Sequence, residues 1–146
     1  MGIKRYTAIA DATITNAYKN DLTGRATASN SGQADSLEVF KIYGQANSSS
    51  VEQSRIVLKF PILGASKVSG SRTIQMDRTA ETLPSTGVKY YLKLFDVRHP
   101  LGVPQNFKLN VQPVSQSWEE GLGVDLDEHK DNGPVSWLTA SSTEVA

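Results

Sequence analysis

No cysteine occurs in the 146 residues. Disulfides and thiolate-metal sites are therefore excluded, and the fold must hold by packing and hydrogen bonding alone. No apolar run approaches the ~20 residues of a membrane helix. Residues 1–11 lack the apolar core of a secretory signal, so the expectation is no membrane partner and no secretory route. Net charge is also missing, since 15 Lys and Arg balance 15 Asp and Glu. Proteins that neutralise phosphates carry a basic excess or stripe. Here the basic residues are scattered and the longest pairing is Lys4-Arg5, which argues against a nucleic-acid partner.

Catalytic signatures are equally scarce. There are two histidines, His99 in a Pro-flanked turn and His129 in an acidic loop. No G-x-S-x-G elbow and no phosphate-binding glycine loop is present. Glu119 and Glu120 are adjacent, so their carboxyls diverge on a strand or a helix and do not converge on one bond. The expectation is a protein that is not an enzyme.

What the chain does have is strand periodicity. Serine and threonine number 27, and apolar residues make up 38%, a composition that suits exposed strand faces and turns. Residues 8–18 centre on Thr-Ile-Thr and read as a strand. Residues 20–33 are rich in Asn, Gly, Ser and Thr and read as a loop. Residues 36–43 carry apolar groups on both faces. Residues 54–62 are the strongest strand, with Ile56, Leu58 and Phe60 on the face expected to meet the core. Pro61, lacking an amide donor, should end it. Residues 64–86 are polar, with a short strand expected at 73–76.

Residues 88–97 alternate Tyr90, Leu92, Leu94 and Asp96 against Tyr91, Lys93, Phe95 and Val97. Residues 106–114 alternate Phe107, Leu109 and Val111 against Lys108, Asn110 and Gln112. The Pro/Gly-rich stretch 99–104 between them predicts a hairpin. A short helix over 117–122 would be capped by Ser117. The expected class is all-β, an antiparallel, jelly-roll-like β-sandwich. Residues 1–116 form the sandwich module, and 117–146 are an acidic loop and C-terminal extension of the same domain. Its dry layer between sheets should hold Ile56, Leu58, Phe60, Leu92, Leu94, Phe107, Leu109 and Val111.

Two candidate binding features remain. Asp125, Asp127 and Asp131 offer oxygen ligands with loosely calcium-like spacing, although the pattern is not that of an EF-hand; an ordinary acidic surface loop is the plainer alternative, and no other cofactor is implied. Trp118 and Trp137, helped by Tyr43, Tyr90 and Tyr91, could stack on sugar rings, and packing of the indoles against the sandwich is the plainer alternative.

Four stretches taken in order resemble a known module: Asp11-Ala-Thr-Ile, Ser54-Arg-Ile-Val-Leu-Lys-Phe-Pro61, Tyr91-Leu-Lys-Leu-Phe-Asp, and Val111-Gln-Pro-Val-Ser-Gln-Ser-Trp-Glu-Glu-Gly121. Their order is similar to the DNRLRE-type domain, a jelly-roll β-sandwich related to carbohydrate-binding modules. The stretch from Trp118 to Trp137 looks closer still to uncharacterised virion structural proteins of tailed bacteriophages. The resemblance covers nearly the whole chain. It implies a structural protein of a virion (capsid decoration, neck or tail component), assembled in the host cytoplasm and contacting other virion proteins or copies of itself. The alternative it implies is a carbohydrate-binding module of a tail fibre or polysaccharide-active enzyme, with a glycan as partner. Such modules carry further strands after the second tryptophan, whereas this sequence stops nine residues past Trp137. The expectation is a sandwich incomplete at its C-terminus, either the front part of a longer protein or one completed by a neighbouring subunit.

Overall fold

β-Branched residues start the sheet. Thr13, Ile14 and Thr15 favour the pleated backbone, and strand β1 spans Ala10–Thr15. The computed structural model describes residues 2–63, 72–84, 86–97, 106–128 and 133–141. β2 spans Lys41–Tyr43 and β3 spans Val51–Lys59. The three strands form one antiparallel sheet in the order β1-β3-β2. Ala12 pairs with Val57 and Ile14 with Arg55. The only helix among the described residues is α1, Ile74–Thr79. The chain is thus β-rich and antiparallel, and these residues form a single sheet.

The core lies on one face of this sheet. Ala12 and Ile14 pack with Val135, and Val57, Trp118 and Trp137 close over them. Directly opposed residues of an antiparallel pair share a face, so this is the Val57 side of β3. The sequence pointed to the other side. Ile56, Leu58 and Phe60 are half-buried, as Val57 is, but it is Val57 that meets the core cluster, because the indole-bearing segments cross its face. There the Arg55 guanidinium lies 4.4 Å from the centre of the Trp137 ring, so a charged side chain covers the core edge with its apolar stem.

The expected hairpin also differs. Residues 88–97 and 106–114 contain no strand, and every described residue from 89 to 97 and from 106 to 117 is exposed. The connecting turn lies outside the described residues. Leu92, Leu94, Phe107, Leu109 and Val111 therefore do not share a dry layer with β3. The physical reason is cover: apolar strand residues stay dry only under a packed layer, and among the described residues nothing covers these stretches.

The helix expected over 117–122 is absent, and the one described helix forms where a short strand was expected. At 117–122 the Glu119 N–H donates to Ala140 O (2.9 Å) and its carbonyl accepts from Val135 N (2.7 Å). Both groups are used laterally, so no helix can form there. At 73–76, where a strand was expected, Thr73 caps α1, its hydroxyl accepting from Met76 N at 3.1 Å. Only a turn and a half long, α1 gives no readable period.

What holds α1 is Asp77, buried at 2% exposure. It accepts from Tyr6 Oη (2.7 Å), Arg72 Nε (2.7 Å), Thr82 Oγ1 (2.9 Å) and Lys4 Nζ (3.3 Å). One carboxylate thus pins the N-terminal arm to the helix. The Tyr6 hydrogen bond first, then those from Arg72 and Thr82, hold its carboxyl well below the usual range. Burial, followed by the hydrogen bond to Asp77, pushes the Tyr6 phenol up to about 12.

Depressed in the fold, Asp77 stabilises fully above its unfolded value of 3.8, and that contribution is lost as the pH falls below it. Raised in the fold, Tyr6 stabilises fully below 10.0, and its contribution is lost as the pH rises from there toward 12. Asp77→Asn should lower the melting temperature by several degrees at neutral pH. The gap to wild type should narrow as the pH falls well below 3.8, where the unfolded carboxyl binds a proton that the folded one still resists. Melting curves across pH measure both.

Candidate functional site

Polar loops gather beside β1 and are stitched by one side chain, Asn30. It is fully buried, and it uses its whole hydrogen-bonding capacity. Its Nδ2 donates to Glu120 O (2.8 Å) and Val135 O (2.9 Å). Its Oδ1 accepts from Gly32 N (3.1 Å) and Gly123 N (2.9 Å). Three stretches distant in sequence therefore meet on one carboxamide. Ser29 Oγ adds a bond to Leu126 O (2.6 Å), Glu120 Oε1 accepts from Asp11 N (2.7 Å), and Trp137 N donates to Thr27 O (3.1 Å).

Two glycines permit the close approach. A Cβ on Gly32 would run into the Glu120 carbonyl, and one on Gly121 would land on the Asn30 carboxamide. Gly121 also has φ +79°, the left-handed region.

Beside this knot lies a shallow groove of about 350 Å³, lined by Thr13, Ser31, Asp35, Glu38, Asp125 and Leu126 among others. Its lining is polar and acidic, with no aromatic residue. Of the three calcium candidates, Asp131 lies outside the described residues, as do His99 and His129. Asp125 Oδ1 accepts from Asp127 N (2.9 Å) and Glu128 N (2.8 Å), an Asx turn that shapes the loop. Asp127 Oδ1 accepts from Asn20 N (3.1 Å), and its carbonyl takes the Lys19 ammonium (2.7 Å). A cation already sits against this loop as a lysine side chain. Among the described residues, no three acidic or histidine side chains are grouped to hold a metal.

Trp118 and Trp137 are half-buried and pack against Ala12, Ile14 and Val135. Neither lines the groove. The exposed aromatics are instead Tyr43, Tyr90, Tyr91, Phe95 and Phe107. The structure therefore does not bring the candidate tryptophans and aspartates into one site. Asn30 carried no sequence signal, being one amide in a polar loop.

Comparison with protein-family models, curated proteins and solved structures yields no match to this chain.

Removing the Asn30 carboxamide leaves two buried N–H groups and two carbonyls without their partner. At ~1–3 kcal/mol for an orphaned group, Asn30→Ala should destabilise by about 3 kcal/mol or more. Gly121→Ala should cost at least ~2 kcal/mol, combining left-handed strain with the collision at Asn30. Urea unfolding of both variants checks the figures, and a loss under 1 kcal/mol in either (~5-fold in the equilibrium constant) would contradict the described knot.

Proposed function

We propose that this chain is a structural subunit of a bacteriophage virion, a capsid decoration, neck or tail component that acts through protein–protein contacts. The observation that carries the reading is the mismatch between what the chain buries and what it exposes. Among the described residues the buried apolar side chains are Ala12, Ile14, Ala17, Ala26, Val135 and Ala140. Only Ile14 and Val135 among them are larger than alanine. Two long amphipathic stretches meanwhile stand bare. A protein with a thin core and apolar segments in solvent is one whose packing is finished by contact.

In this reading the jelly-roll-like antiparallel sandwich is completed on assembly, the partners are other virion proteins or copies of the same chain, and no bond is made or broken. The resemblance of the stretch from Trp118 to Trp137 to phage structural proteins supplies the virion. The carbohydrate alternative gains no support from Trp118 and Trp137, whose indoles are used in packing.

Mass spectrometry of density-purified particles from the source phage tests the proposal. Peptides of this chain should be present at a fixed stoichiometry to the major capsid or tail protein. Abundance in the infected-cell lysate with none in the particles would reject the virion role.

A further inference from the structure

The bare stretches also indicate what covers them. Among the described residues, no backbone hydrogen bond joins 86–97 or 106–115 to the sheet or to each other. Tyr91 is 83% exposed, Phe95 78%, Val111 76% and Phe107 70%, and Leu94 and Leu109 are open as well. With a full aromatic side chain at about 150–250 Å², the apolar groups of the two stretches present roughly 1,000 Å² to water. A monomer seldom leaves more than a few hundred Å² of contiguous apolar surface uncovered. A stable interface buries about 800 Å² on each partner, so this surface is of the size a lasting association uses.

The complement to these stretches lies on the same molecule. Among the described residues β2 pairs only with β3, and Lys41–Tyr43 is exposed throughout. An open edge accepts a further strand through its unpaired backbone groups. Ile56, Leu58 and Phe60 on β3 are half-covered and can take an apolar layer. Lys89, Lys93 and Lys108 against a lone Asp96 make the stretches mildly basic, and the acceptor side is mixed, with exposed Asp35 and Glu38 just ahead of β2 and exposed Lys41, Arg55 and Lys59 on the strands themselves. With zero net charge per chain, copies do not repel one another at long range.

We propose that residues 86–97 and 106–115 are a self-association surface, docking on the Lys41–Tyr43 edge and the adjoining β3 face of a second copy of this chain. Donor and acceptor surfaces on one molecule make the contact self-sufficient. The two alternating stretches then act as the strands that a single copy lacks. This deepens the structural-subunit reading and rests on it only for the setting in which the oligomer works.

Sedimentation equilibrium of the full chain from about 1 to 100 µM tests it. The wild type should form dimers or larger oligomers in that range. Phe95→Asp and Val111→Asp, both at positions already open to solvent in one copy, should each weaken association at least tenfold with an unchanged far-UV circular dichroism spectrum. Ile3→Asp, equally exposed but outside the surface, should leave association as it was. A wild type monomeric across the whole range, or an oligomer indifferent to both aspartates, overturns the proposal. An oligomer absent from phage particles would remove only the virion role. A monomer abundant in particles would remove only the self-association.

Discussion

Every polar group taken from water must find a partner, and in this chain that requirement shapes the fold more than apolar burial does. The largest fully buried side chains are Glu52, Asn30, Thr15, Thr73 and Asp77, not aliphatic ones. Each is paired. Asn30 closes four bonds, Asp77 four, and Thr15 bridges Gln53 O and Ala17 N. Glu52 Oε2 accepts from Tyr18 N at 2.8 Å, with the Gln45 amide 2.6 Å away when oriented to donate. Such networks specify one arrangement strongly because each unmade bond is costly, yet they add little net stability when complete. The folded unit is therefore well defined but lightly insured by hydrophobic packing.

That balance explains which parts were legible in the sequence. β1 and β3 show in the two-residue alternation and β-branched composition, and their pairing follows once both are strands. The buried face of β3 does not show, because it depends on where Trp118, Val135 and Trp137 cross the sheet, some 60 to 80 residues away along the chain. A continuous Ile-Leu-Phe row looks like the better core face until the covering segment is known. α1 escaped notice because its evidence is one threonine cap. Residues 88–97 and 106–114 alternate in sequence like strands, but alternation says only that a cover is needed, not that the same chain provides it.

The candidate site divides in the same way. The aspartates were visible as a cluster, yet Asp125 and Asp127 serve loop geometry and the Lys19 contact, which spacing cannot reveal. The tryptophans were visible as aromatics, and their packing role follows from the small side chains of β1 beneath them. Asn30 was invisible, since only three-dimensional convergence distinguishes it from the other amides. The organisation that results joins a hydrogen-bonded hub, a β2 edge with no second strand on it among the described residues, and two exposed stretches, which are the parts the proposed self-association would use.

Hydrogen exchange read by mass spectrometry at two protein concentrations tests that idea most directly, with the β1 amides of Ala10–Thr15 as an internal reference. The account predicts that amides of 86–97 and 106–115 exchange freely in dilute solution and become protected when concentrated, while β1 does not change. Exchange in those two stretches that ignores concentration, whether fast throughout or slow throughout, would contradict it.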